Sequence, residues 1–374
     1  MTRCPEIILA SMRLKRRGVV LVALSLLLLL GACGVTPTSR GGSGLSSADG
    51  FIYVTSRQGQ VFALNLEQRE KRLIFPASGE WKYPTEGKGM GVVYGNPTLA
   101  DGKIYVGTLD GVVYSLDRAT GRELWRKSLG GAIVGRPEVA GERLLVGAGR
   151  KLYALDLETS QLLWPEPFTT KARIWASPVV GGDKVFVASM DHSIYAVDVA
   201  TGKLLWGFPT QGALFAPPVL EGDRLYVGSF DGSLYAVEDN QGQLAWPQPF
   251  RAGSWLWTQP LFSEGNVIAG TLDNKVYAID AGSGGMVWER PFDSDLITAA
   301  VAEGRLILGF RNGQVLGLDA ATGQQRWQFN ARSLVQPELL VQGGLVYVAT
   351  EGSIIYAIDA STGVELWEFS LRGS

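Results

Sequence analysis

Apolar residues in this chain come in short bursts. From about residue 50 onward, runs rich in Val, Ile, Leu and Tyr alternate with turn residues, and none has the length or the 3.6-residue periodicity of a helix. In the window 214–250 the runs are LFAPPVL, RLYVGS, SLYAV and QLAWPQPF. A Gly turn (EGD) separates the first two. A DG pair, which favours a tight hairpin with positive φ, separates the second and third. Between the third and fourth runs the recurring D-x-x-T-G places an Asp that can accept from nearby amides ahead of a left-handed glycine. The pattern predicts four short antiparallel strands, A to D.

That unit repeats. DGVVYSLDRATGRELW (110–125), DHSIYAVDVATGKLLW (191–206), DGSLYAVEDNQGQLAW (231–246), DNKVYAIDAGSGGMVW (273–288) and NGQVLGLDAATGQQRW (312–327) are versions of one stretch. Its markers, Trp125, Trp164, Trp206, Trp246, Trp288, Trp327 and Trp367, lie 39 to 42 residues apart, the spacing of a repeat architecture. An eighth, decayed copy comes first: FIYVTSRQGQVFALNL (51–66) aligns with KIYVGTLDGVVYSLDR (103–118), and Leu73 stands where the tryptophan belongs. The first A strand falls on the weak GGSGLSSA (41–48), so a seven-bladed ring with a loose first unit is the alternative to eight. The link from Leu73 to Pro97 is longer than its siblings, the excess being ASGEWKYPTEGKGMG (77–91).

Prolines choose between a line of sheets and a ring. Pro97, Pro137, Pro178, Pro218, Pro260 and Pro337 fall in strand A, and Pro165, Pro247 and Pro249 fall in or after strand D. Proline is excluded from central strands, so A and D are edges and each unit is its own four-stranded sheet. Such a sheet must cover both faces with neighbours. The expected fold is an all-β propeller with A innermost, and the tryptophans are its structural staples between blades.

The first 32 residues read as an export signal: basic RLKRR (13–17), an apolar run from Val19 to Leu30, then LGAC (30–33). That run is too short to span a bilayer. LGAC resembles the lipobox of bacterial lipoproteins, which implies cleavage before Cys33, acylation of its sulfur, a flexible tether over 33–41 and a propeller over 42–374. Met12 is an alternative start. Net charge is −2, and about −6 without the signal, which does not suit nucleic acid.

Candidate chemistry is sparse. The single histidine, His192, is expected to be an exposed hairpin residue, and Cys4 and Cys33 are the only cysteines, which leaves no usual zinc, copper or triad set. Asp117, Asp156, Asp198, Asp280, Asp319 and Asp359 occupy one repeated turn position, which marks them as structural. No D-x-D-x-D-G calcium loop is present. No catalytic, cofactor or metal residue is assigned.

The repeated A-x-D-x-x-T-G-x-x-x-W resembles the tryptophan-docking repeat of the PQQ-like, quinoprotein-type propellers, over about residues 50–370. With the lipobox it is similar to the BamB-type lipoproteins, accessory subunits of outer-membrane barrel assembly. The resemblance implies a non-catalytic, monomeric, lipid-anchored scaffold exported to face the periplasm or exterior, docking protein partners through loops on its rim. The alternative it leaves open is a propeller holding PQQ or a sugar in its central channel, although the Cys-Cys pair of many quinoprotein dehydrogenases is missing. Rim residues that break the repeat are the candidate partner contacts: Trp81 and Tyr83 in the 77–91 excess, Trp255, and Arg136 near the channel mouth, where Asn96, Gln259 and Gln336 also vary. Tyr94, Trp175, Phe215 and Trp257 share one position and are expected to pack between blades.

Overall fold

The computed structural model describes residues 44–371, apart from 57, 58, 71–74 and 88. The export signal, Cys33, the tether and Leu73 lie outside the described residues. The described strands form eight antiparallel sheets of four strands, each in the order A-B-C-D along the chain. Inner strands A touch their neighbours in an unbroken circle, including blade 8 (Val335–Gln342) against blade 1 (Leu45–Ala48). The fold is an eight-bladed β-propeller, and blade 1 is complete, which removes the seven-bladed alternative.

Burial follows the strand order. In blade 2, strand B (Lys103–Gly107) and strand C (Val112–Asp117) are almost wholly buried, whereas strand D (Glu123–Ser128) alternates exposed and half-buried positions. Hydrophobic cores lie between blades. Phe186, Ile194 and Ala196 of blade 4, for example, pack with Leu225, Tyr235 and Val237 of blade 5. The same arrangement recurs round the ring, and it closes where Ile52, Phe62 and Leu64 of blade 1 meet Tyr347, Ala357 and Trp367 of blade 8. A single blade could not bury these faces, so the repeat has to close on itself.

Each docking tryptophan spans two blades. Its indole sits beside a small residue of its own sheet, as Trp206 does opposite Ala196, and in every case but Trp367 it reaches the C–D turn of the following blade. There Nε1 donates to a carbonyl: Trp164 to Val199 at 3.0 Å, Trp206 to Asp239 at 3.0 Å, Trp288 to Ala320 at 3.1 Å. The turn glycine is required twice over. Gly202 has φ 74°, and a Cβ on it would come within 2.6 Å of the Trp164 ring. The Asp of the turn accepts from the Thr three residues before the next strand, as Asp198 does from the Thr201 amide (2.7 Å) and hydroxyl (2.5 Å). Such bonds hold the turn carboxylates below their ordinary range; Asp319, which accepts from Arg326 and then Thr322, and Asp359, which accepts from Ser361 and then Thr362, are brought down to about 2.

Blade 1 corrects the register expected from sequence. Its D strand is Trp81–Tyr83, and Trp81 pairs with Ala63 in the register of Trp206 with Ala196. The Trp81 Nε1 donates to Arg118 O at 3.1 Å, and its ring lies against Gly121. Trp81, not Leu73, is therefore the eighth docking tryptophan. The extra residues of this unit sit in its C–D connection, which opens with a one-turn helix (Leu66–Glu70), and not between blades 1 and 2.

Blades 3 and 5 give a second correction. WPEPF and WPQPF do not continue as outer strands. One isolated bridge (Leu155 with Leu162, Val237 with Leu244) precedes the bulged prolines, and only Phe168–Thr169 and Phe250–Arg251 pair beyond them.

Candidate functional site

One rim of the ring is built from the links entering strand A and from the B–C hairpins. A backbone bond ties the two in successive blades: Met190 N to Arg173 O (3.0 Å), Phe230 N to Ala213 O (3.0 Å), Leu272 N to Trp255 O (3.0 Å) and Arg311 N to Asp295 O (2.9 Å). Side chains at these positions are thereby held on a rigid frame, and their identity is free to vary between blades.

Across blades 4 to 6 four rings form a ladder on this frame. Phe215 stacks on Phe230 at 4.2 Å and 20°, and Phe230 on Trp255 at 4.7 Å and 16°. Trp175 leans on Phe215 at 5.9 Å and 57°. All four are half-buried. At the position of Phe230 the other blades carry Leu109, Gly149, Met190, Leu272, Arg311 and Glu351. The stack is a local departure from the repeat. Leu272, 38% exposed, is tied to the ladder by its amide, which donates to Trp255 O at 3.0 Å. Exposed Lys171 and Arg173 flank the blade 4 end, and exposed Asp273 and Asp293 the other.

A second cluster lies on the inner strands. Arg136 is exposed, with Nη2 at 3.0 Å from Glu138 Oε2, and its backbone amide donates to Ser177 Oγ at 2.9 Å. Burial raises the Glu138 carboxyl, partly offset by Arg136. From blade 8, Glu338 is pushed up to about 7 by burial, against the opposing effects of an Asn96 hydrogen bond and the Arg136 charge. The cluster therefore joins side chains of blades 2, 3 and 8. Because the folded pKa lies above the ordinary 4.5, the fold favours neutral Glu338. That stabilisation is complete below pH 4.5 and is lost as pH rises to about 7, roughly 3 kcal/mol in all. Urea unfolding of the parent and of Glu338→Gln at pH 4.5 and pH 8 is expected to show the parent losing that much relative to the variant. Equal losses would exclude it.

The structure separates the residues singled out by sequence. Trp255 belongs to the ladder, and Arg136 to the inner polar cluster. Trp81 and Tyr83 lie in the seam between blades 1 and 2, where the Tyr83 hydroxyl donates to Glu123. Trp81 is spent on the joint with blade 2 and is not free to contact a partner. His192 is exposed with φ 69°, in the place of a hairpin glycine. The residue missed was Phe230, whose only sequence signal is an aromatic in GSFDG where sibling hairpins vary. Among the described residues no three His, Cys, Asp or Glu side chains converge as a metal site.

The profile of the family of outer membrane protein assembly factor BamB matches residues 80–173, 167–295 and 273–374. The chain is similar to the outer membrane protein assembly factor BamB of Moranella endobia, 25% identical over 172 residues, 42% of this chain and 43% of that protein. It is also similar to a quinoprotein ethanol dehydrogenase of Pseudomonas putida, 31% identical over 139 residues, 32% of this chain and 22% of that enzyme. The matched stretches span less than half the length of these curated relatives. Among solved structures, BamB from Moraxella catarrhalis superposes with a TM-score of 0.70 at 19% identity, covering 82% of this chain and 92% of that one.

Proposed function

The chain belongs to the family of the outer membrane protein assembly factor BamB, and from that premise we propose that it is a non-catalytic docking scaffold of the cell envelope. It acts in the assembly of outer membrane proteins and is held at the membrane by acylated Cys33. The observation that carries this reading is the aromatic ladder of Trp175, Phe215, Phe230 and Trp255. Its ring faces are largely spent on one another, so ring edges and Leu272 are what meets solvent. A sugar or a nucleobase stacks on open ring faces, whereas the apolar side chains of a protein partner pack well against edges. The basic and acidic ends would fix the orientation of that partner and speed encounter.

The test is photo-crosslinking in the source cells from a reactive group at Leu272, with a second group at Gln161 in the exposed C–D turn of blade 3 as control. Cross-links from position 272 to envelope proteins should disappear in Phe230→Ala with Trp255→Ala. A Cys33→Ser companion should move the chain to the soluble fraction. No specific cross-link from position 272, or one indifferent to the double substitution, would sink the reading. The quinoprotein dehydrogenase match supports a competing one, a quinone in the channel. Stoichiometric uptake of PQQ with calcium by the purified chain would favour it.

A further inference from the structure

Eight outer strands leave eight unpaired sheet edges, and an unguarded edge is a template for another strand. Their guarding is uneven. Trp327 and Gly317 face each other in blade 7, and Ala331 N donates to Gly313 O at 2.9 Å. Beyond the register shift between Gly317 and Leu318, the antiparallel alternation then turns the N–H and C=O of Gln328 and Asn330 away from strand C, towards solvent. The third residue after the docking tryptophan is thus an outward-facing position. In the blades whose outer strand runs on unbroken from the tryptophan, it is proline in three, Pro84, Pro209 and Pro291; in blades 3 and 5 the bulge puts Thr169 and Arg251 there, and two prolines interrupt the strand just before it. A proline there removes the donor that an incoming strand needs.

Blades 2, 7 and 8 have no proline anywhere in the outer strand, with Ser128, Asn330 and Ser370 at this position. Blade 2 has charge instead, with Glu123, Arg126 and Lys127 on its D strand, and blade 8 has Glu365 and Glu368. Blade 7, Gln325–Asn330, has neither proline nor acid, and its one charge, Arg326, is taken up by Asp319 at 2.9 Å. At the position of Gln328 every other blade has a charged residue, a proline or a glycine: Lys82, Arg126, Pro165, Gly207, Pro247, Glu289 and Glu368.

Beside this edge runs a groove of about 620 Å³ between blades 6 and 7. Leu316 and Leu318 contribute to its lining, with Phe292, four glutamines (Gln314, Gln324, Gln325, Gln328) and the opposite charges of Arg290 and Asp293. Gln328 pairs across the sheet with Leu316, so the groove lies on the sheet face that a fifth strand would extend. Gln328 Nε2 already donates to Asn330 Oδ1 at 3.0 Å, the side-chain amide ladder of an uncharged edge. Edge and groove together carry no net charge, which matches an uncharged strand, while the charged edges of blades 2 and 8 do not.

We infer that the outer edge of blade 7 accepts an extended, uncharged strand of another polypeptide as a fifth strand, seating its alternate side chains in the groove between blades 6 and 7. This site is separate from the rim ladder and stands whether or not the rim docks a partner. The probe is a capped eight-residue peptide alternating threonine with valine and tyrosine, dye-labelled and titrated into the full chain by fluorescence anisotropy, with hydrogen exchange read by mass spectrometry. Saturable binding with slowed exchange at residues 325–330 is expected. Asn330→Pro, which installs the residue that blades 1, 4 and 6 carry, should weaken binding at least tenfold with the unfolding midpoint unchanged. Gln328→Lys should do the same by charge if the proline variant folds poorly. The inference is overturned by any of four results: no saturable binding at millimolar peptide, affinity indifferent to both variants, protection at 123–128 or 365–370 in place of 325–330, or protection that instead tracks concentration-dependent dimerisation of the chain.

Discussion

A Glu80→Ala variant is expected to lose about 3 to 5 kcal/mol of stability in urea unfolding, because it strands a buried guanidinium. The Glu80 carboxylate accepts from Arg69 Nη2 (2.8 Å), the Ala77 amide (2.8 Å) and the Asn65 amide (3.0 Å), and the Arg69 and Glu80 side chains are 2% and 0% exposed. Arg69 also lies over the Phe369 ring of blade 8, 4.7 Å from its centroid, and Phe75 touches both Phe62 and Phe369. This is the seam where the ring closes. The usual device is incomplete there, since the buried Trp367 Nε1 finds no acceptor among the described residues. The helix Leu66–Glu70 replaces the D-x-x-T-G turn that supplies an acceptor to the other indoles. The ion pair and the cation–π contact take over the joint. Replacing both charges, Arg69→Met with Glu80→Leu, should recover most of the loss, since packed apolar groups can substitute for a buried pair but half a pair cannot. A single Glu80→Ala costing less than about 1 kcal/mol would show that the seam is held elsewhere.

Blade number, strand order and the docking role of seven tryptophans follow from the sequence because each rests on a local rule applied many times. Prolines in A and D identify edges, buried apolar runs identify B and C, and the Trp spacing sets the period. Blade 1 escaped because its period was counted along the chain. Trp81 lies 18 residues after its partner Ala63, where Trp206 lies 10 after Ala196, so the helix and the loop after it pushed the marker past its expected place and Leu73 was left in its stead. The same counting assigned the excess to the wrong side of the D strand. In WPEPF and WPQPF, tryptophan and phenylalanine at strand-like spacing masked two prolines that cannot both sit in a ladder. The candidate sites were less legible because they depend on neighbours in space. Phe215, Phe230 and Trp255 come from two blades and meet only once the ring exists, and Glu338 in VQPEL is ordinary until burial and the charge from blade 3 act on it.

Trp246→Ala should cost about 3 to 5 kcal/mol, the range for removing a buried tryptophan. The indole is 2% exposed, donates to Ala281 O at 3.0 Å and sits 5.7 Å from the Tyr226 ring. An indole burying roughly 150 to 250 Å² at about 25 cal/mol per Å² gives about 4 to 6 kcal/mol, so area and substitution experience agree. Trp246→Phe keeps part of that area and gives up the hydrogen bond, so its loss should be smaller by about half. Gly284→Ala approaches the same joint from the other blade: φ is 76°, and the new Cβ would lie 2.8 Å from the indole. A penalty of about 1 to 3 kcal/mol follows from backbone strain and overpacking. Because each indole belongs to two blades, weakening one joint in a closed ring should lower the single midpoint and leave one cooperative transition. In an open array the blades on either side of blade 5 would melt separately. Circular dichroism and tryptophan emission followed through the same urea titration decide it. Coincident curves for Trp246→Ala fit the closed ring, and two separated steps would mean that the joints act as independent clips along a ribbon.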